Sequence, residues 1–157
     1  MTETIAQKEL ESYLWGAATL LRGLIDASDN KQYIFPLLFF KRLSDVWDED
    51  YQQALMATKD EDYARATAND RFTIPEKANW NTVRSASRDI GRCLVDAFQN
   101  LEMANPDRLQ GIFGNAAWTD KERFPDTVLK NLIEHFSQQT LDLQRVPEDQ
   151  LGNGYEY

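Results

Sequence analysis

Histidine and cysteine are nearly missing from this chain: its 157 residues hold one of each, His135 and Cys93. A single cysteine excludes an internal disulfide and fits a reducing compartment such as the cytoplasm. One histidine with no second His or Cys beside it completes no zinc site, and no Ser-His-Asp or Cys-His arrangement can be assembled. Cys93 falls on an apolar helical stripe and reads as a buried, inert thiol. His135 reads as a structural residue. No apolar run is long enough to cross a bilayer, and the N-terminus lacks the charged-then-apolar order of a signal peptide. No membrane partner is expected. Glycine is scarce, at seven residues. Gly111-Ile112-Phe113-Gly114 has neither the spacing nor the strand-to-helix context of a phosphate-cradling loop. Positive charge is also in deficit: 17 Lys and Arg stand against 26 Asp and Glu, for a net charge of −9. Autonomous DNA binders are normally basic, because neutralised phosphates supply much of the affinity. That disfavours DNA binding by this domain alone. It leaves room for a domain that touches DNA at a few points while partners supply the rest.

What remains is the makings of one all-α domain over residues 1–157, a compact bundle of about six to eight helices, with irregular loops around 70–80 and 111–125. Leu14, Ala17, Ala18, Leu21 and Ile25 recur at three and four, one stripe of a helix. After the polar break at Asp26–Asn30, the run from residue 29 to about 57 is apolar nearly all round at first, which marks a buried helix. Ser28 can cap its start and Asp29 suits the positive end of its dipole. Pro36 is tolerated in the first turn or so; deeper, it would kink the helix. The two helices read as a hairpin with the second one central. The acidic patch Asp45, Asp48, Glu49 and Asp50 reads as a solvated face; it lacks the glycine and ligand order of a calcium loop. Trp47 and Tyr51, four apart, lean on the core or on a neighbour.

Residues 58–70 are poor in large apolar side chains and read as a short exposed helix ending in a loop. Phe72–Pro75 is the one extended-looking segment, and a single such segment makes no sheet. Trp80 anchors it. Residues 81–104 are helical, with Val83, Ala86, Ile90, Cys93 or Leu94, Ala97 and Leu101 inward. Gly91 weakens a single helix there by roughly 1 kcal/mol, so two helices meeting near Asp89 fit equally well. Arg84, Arg88 and Arg92 step at four and form the one basic ridge. It is either a solvated face or a set of phosphate contacts, since guanidinium forks suit phosphate oxygens. Asn105 and Pro106 read as cap and first residue of a short helix to Ile112. Trp118 inserts from a loop, and Pro125 opens a helix with Val128, Leu129, Leu132, Ile133 and Phe136 inward. A further helical turn is expected from Pro147 to Tyr157.

Several of these stretches carry a resemblance. Leu14-Trp15-x-Ala17-Ala18-x-x-Leu21-Arg22-Gly23 is followed by Leu37-Leu38-Phe39-Phe40-Lys41-Arg42-Leu43-Ser44-Asp45. Then come Phe72-x-Ile74-Pro75-x-x-Ala78-x-Trp80, Asn105-Pro106-x-x-Leu109-x-Gly111 and Leu151-Gly-x-Gly-Tyr-Glu-Tyr157. In this order they resemble the N-terminal helical domain of the modification (M) subunit of type I restriction-modification systems, which are adenine-specific DNA methyltransferases. The resemblance implies that the full-length subunit moves a methyl group from S-adenosylmethionine to adenine in duplex DNA. The implied partners are duplex DNA, a specificity subunit, a second M subunit and a restriction subunit. The family's S-adenosylmethionine-binding glycines and its Asn-Pro-Pro-aromatic motif have no counterpart here, since Asn105-Pro106 is followed by Asp107. No catalytic, cofactor-binding or metal residue is therefore assigned, and the fragment by itself is expected to be inactive. The family continues past a segment like Leu151–Tyr157 into its methyltransferase domain, so the chain reads as a cut polypeptide. The role the resemblance implies is to close over DNA and contact the other subunits. Arg84, Arg88 and Arg92 are the first candidates for phosphate contact and Lys41 and Arg42 a second pair. A purely protein–protein module, or an unrelated helical adaptor, are the alternatives.

Overall fold

A helix of 28 residues forms the spine of the molecule. The computed structural model describes residues 6–122, 124–143, 145 and 146. Among these the helices are α1 (Gln7–Leu21), α2 (Lys31–Thr58), α3 (Glu61–Arg71), α4 (Trp80–Arg84), α5 (Ile90–Ala104), α6 (Pro106–Leu109) and α7 (Asp126–Phe136). Short 3-10 turns lie at Ala27–Asp29 and Glu76–Ala78, and the described residues contain no strand. The all-α expectation holds, with seven helices among them. The turn expected from Pro147 to Tyr157 lies outside the described residues.

At 1.5 Å per residue α2 is roughly 42 Å long. Its first half is buried on most sides, at Tyr33, Ile34, Leu37, Leu38 and Phe40. The helix runs unbroken through Pro36. The ring removes a bond to the carbonyl of Gln32, an exposed residue where water can replace it. Ser28 does not cap α2. The 3-10 turn runs straight into the helix, and Asn30 takes the cap position already in helical dihedrals (φ −54°, ψ −38°).

The hairpin is also not the one expected. α1 stops at Leu21 and packs chiefly on α7; the partner of α2 is α3. Lys59, left-handed at φ 57°, ends α2 with its N–H on the Leu55 carbonyl at 2.7 Å. Asp60 then caps α3, accepting from the amides of Asp62 and Tyr63 at 3.1 and 3.2 Å. Of α3, Ala64 and Ala68, four apart, are fully buried, Thr67 and Asn69 are half-buried, and residues 61–63, 65, 66 and 70 are exposed. Two methyl groups add little apolar weight, but they let the two backbones approach closely. The Trp47 indole donates to Asn69 Oδ1 at 2.8 Å, and the Ile74 amide donates to the same oxygen at 3.3 Å.

α1 docks through a polar joint. The Tyr13 hydroxyl donates to the Phe136 carbonyl at 2.6 Å, and His135 Nε2 lies 2.6 Å from the Tyr13 carbonyl, so that nitrogen carries the proton. The two rings stack at 5.4 Å and 17°. Gly16 leaves room for the imidazole, since a Cβ there would fall 2.4 Å from its Cε1. His135 is thus the structural residue the sequence suggested.

The 81–104 region is two helices, not one. Residues 85–89 separate α4 from α5. The cause is distant in sequence: Asp126 accepts from the amides of Asp89 (3.0 Å) and Ile90 (3.2 Å), so the start of α5 is capped from the start of α7. Asp89 is left-handed at φ 52°. A Cβ at Gly91 would lie 2.0 Å from the Trp118 carbonyl oxygen, so this glycine admits the loop that carries Trp118.

Ile90, Leu94, Ala97 and Leu101 on α5, and Leu129, Leu132, Ile133 and Phe136 on α7, face inward as the periodicity requires. Leu94, not Cys93, fills the stripe. Cys93 is half-buried, and burial pushes its thiol up, so it stays protonated. Phe98 stacks on Phe113 at 4.5 Å and 6°, and Phe40 packs between Phe98 and Trp80. Trp80 is the anchor expected, with its indole on Ser137 Oγ at 2.9 Å and its amide on Ser44 Oγ at 3.0 Å. Asn105 takes the cap position of α6 with Pro106 first, as expected, and its carbonyl receives the amides of Arg108 and Leu109, but its side chain is used elsewhere. Its carboxamide holds both backbone groups of Thr73, at 2.7 and 2.8 Å, fastening the extended 72–75 segment, and α6 ends at Leu109.

Candidate functional site

The five cations singled out from the sequence fall into two groups. Lys41 is 5% exposed. Its ammonium donates to the Asp45 carboxylate one turn on and lies 5.9 Å from the Trp80 ring centre. Arg42 Nη1 donates to the carbonyls of Leu141 (2.8 Å), Asp142 (3.0 Å) and Val146 (2.5 Å). Asp45 also accepts the Leu141 amide at 2.7 Å, and Glu49 the Leu143 amide at 3.2 Å. One face of α2 thus supplies partners for backbone groups of Leu141, Asp142, Leu143 and Val146, which lie in no regular element. Both cations are occupied internally and are withdrawn from the set of phosphate contacts. The reading of the acidic patch as a solvated face is corrected at Asp45, while Asp48 is exposed as expected. Asp45 is largely buried, and that burial pushes its carboxyl above the usual range, against the pull of Lys41 and the Leu141 amide.

Arg84, Arg88 and Arg92 do not form one ridge, because the 85–89 break interrupts the helical step. Arg84 ends α4 and is held bidentately by Glu134 of α7, at 3.0 and 2.9 Å. That fork raises the Arg84 guanidinium and lowers Glu134. Arg88 lies exposed in the break and makes no hydrogen bond or ion pair among the described residues. Arg92 sits in the first turn of α5, 3.4 Å from Asp96, with both side chains more than half exposed. An ion pair so open is worth little and is easily exchanged. Lys121 is a cation the sequence reading missed. It pairs with Asp89 and feels the charge of Arg88, but it comes from a loop far along the chain, so no local spacing announces it.

Between the α2–α3 hairpin and α4 lies a cleft of about 680 Å³. The Lys41–Asp45 pair and Trp80 lie at its floor, and the rings of Trp47 and Tyr51, stacked at 5.3 Å and 8°, form one wall. Among the described residues no three His, Cys, Asp or Glu side chains converge as a metal site. The methyl donor implied by the resemblance calls for a glycine-rich turn at the end of a strand. The described residues supply no strand, and Gly111 and Gly114, at φ 78° and 66°, turn the loop after α6 instead. The residues present do not fit that group, and no step through it is derived.

Fold and surface together define a class: a small all-helical domain around one long helix, its polar groups arranged as internal fastenings, an open arginine-bearing loop and a cleft. A family model, the HsdM N-terminal domain, matches residues 10–136. The chain belongs to this family, the N-terminal domain of the M subunit of type I restriction-modification systems. Among curated proteins none matches the chain. No helix among the described residues is long and apolar enough to cross a membrane.

Proposed function

We propose that this domain closes over duplex DNA bound by the catalytic and sequence-reading parts of a type I modification enzyme, and contacts its fellow subunits. The observation that carries the reading is the family match over residues 10–136. The complete M subunit transfers a methyl group from S-adenosylmethionine to the exocyclic amine of adenine, in the cytoplasm. The specificity subunit reads the site, a second M subunit completes the pair, and the restriction subunit joins for cleavage. The target base must leave the stack to be methylated, and a domain that keeps the duplex in place serves that step. This domain takes no part in the chemistry of transfer. Arg88 and Arg92 are its phosphate contacts, and Arg84 joins them when it releases Glu134. A net charge of −9 suits a domain whose partners supply most of the attraction for DNA.

The test is charge reversal in the assembled methyltransferase. Arg88→Glu combined with Arg92→Glu should weaken DNA binding and lower the slope of log affinity against log salt by about 2, near one unit per lost phosphate contact. Unchanged affinity and slope would remove these arginines from the mechanism. A second reading, a module that contacts only other subunits, is favoured by the acidity of the chain and by the occupied Arg84. Crosslinking of the whole complex to DNA with photoreactive phosphates separates the two: label on this domain supports the first, and label confined to other parts supports the second.

A further inference from the structure

We infer that the cleft between the α2–α3 hairpin and α4 receives an arginine or lysine side chain from a partner protein. This deepens the subunit-contact half of the proposed function and rests on it.

Charge is the first argument. Two of the three cations on the lining are already matched: Lys41 by Asp45 at the floor, Arg84 by Glu134 at the rim. What remains without an ion-pair partner among the described residues is Asp48 of α2, Glu76 of the 3-10 turn and Arg65 of α3. The carboxylates outnumber the free cation. Partial burial raises the Asp48 carboxyl, and neighbouring Asp45 raises it further while Lys41 opposes both. An incoming cation beside Asp48 would relieve both the burial of its carboxylate and the repulsion from Asp45.

The second argument is shape. About 680 Å³ lies within the range of ordinary binding clefts. Trp47 and Tyr51 offer a flat aromatic wall to a cation. Trp47 is held by Asn69 and by its stacked neighbour, so little side-chain freedom is lost when a guest arrives. Asn81 also lines the cleft, and its carboxamide oxygen is able to accept a hydrogen bond. Carboxylate, ring face and amide oxygen together suit a guanidinium, whose planar fork donates at its edge and stacks on its face. A phosphate is the poorer guest. It would meet Asp48 and Glu76 with Arg65 as its one uncommitted cation.

The experiment titrates the ¹⁵N-labelled chain with the blocked tripeptide acetyl-Gly-Arg-Gly-amide and with its citrulline twin, which keeps the shape and loses the charge. The arginine peptide should shift the Trp47 indole and Asn81 carboxamide signals saturably, and citrulline should bind about tenfold more weakly. Asp48→Asn, at a residue with no hydrogen bond or ion pair among the described residues, should weaken arginine binding by a similar factor, about tenfold. Equal binding of the citrulline peptide, shifts confined to other surfaces, or no effect of Asp48→Asn overturns the proposal. So does a short DNA duplex that moves the cleft signals in place of the peptide. Subunit association of the whole methyltransferase separates the two ideas. No peptide binding, with assembly still dependent on this domain, overturns the cleft and leaves the subunit-contact reading standing. Assembly indifferent to removal of the domain overturns that reading itself.

Discussion

Lys41 and Arg42 on α2, and Arg84, Arg88 and Arg92 around the α4–α5 break, are the same chemistry in opposite settings. The first two are enclosed by a carboxylate and by the carbonyls of Leu141, Asp142 and Val146. Of the other three, one is tied loosely enough to exchange, one has no hydrogen bond or ion pair among the described residues and one shares an exposed fork. A run such as Phe40-Lys41-Arg42-Leu43 advertises two charges, but the molecule uses them to satisfy its own carbonyls. Whether a cation is available to phosphate depends on which acceptors reach it first, and those acceptors lie far away in the chain.

The contrast can be broken most sharply at Lys41. Lys41→Met or Asp45→Asn alone should destabilise by about 3–5 kcal/mol in chemical denaturation, because each strands a buried charge. The double variant should recover much of that loss, since no ion is then left alone. Losses that simply add would show that the two groups are not a closed pair. Arg42→Ala should cost about 2–3 kcal/mol through lost bonds to a charged donor. It should also speed amide exchange of residues 141–146, while Arg88→Ala does neither. On the other side, Gly91→Ala should destabilise by roughly 1–3 kcal/mol, despite the roughly 1 kcal/mol that alanine gains in helix propensity. A more stable variant would mean that the Trp118 loop gives way.

Asp45 also sets a pH signature. Its carboxyl is raised in the folded protein, so folding holds that proton more tightly than the unfolded chain does. Its contribution is full below the unfolded value of about 4 and disappears as pH rises through the folded one, at up to ~1.4 kcal/mol per unit. The stability difference between wild type and Asp45→Asn should therefore shift toward wild type on acidification. Asp89 and Glu134, lowered by Lys121 and Arg84, act with the opposite sign and lose their contribution as pH falls through their folded values. The smallest effect is expected at the open arginines: Arg88→Ala and Arg92→Ala should each change stability by less than about 0.5 kcal/mol.

What was legible in the sequence was local. The inward faces of α5 and α7 follow from spacing alone, and Trp80 could be read as an anchor because it follows a proline-bearing extended segment. The true hairpin was not legible, because Ala64 and Ala68 carry almost no apolar weight while Leu14 and Leu21 carry a great deal. The arginine ridge failed for a related reason. Of the two readings open for residues 81–104, the two-helix one holds, because Asp126, brought over by α7, caps a new start at Ile90. Lys121 and the 140–146 segment could not be found by spacing at all, since both reach their partners only through the tertiary fold. Glu134, which occupies Arg84, is equally remote in sequence.

Asn69 is a single oxygen shared between two pieces of the molecule, taking the Trp47 indole from the long helix and the Ile74 amide from the link that leads to Trp80. The hairpin therefore cannot peel away by itself. When α3 lifts, the Ile74 amide loses its acceptor in the same event, so it should surrender its protection together with α3, while Thr73 stays held by Asn105.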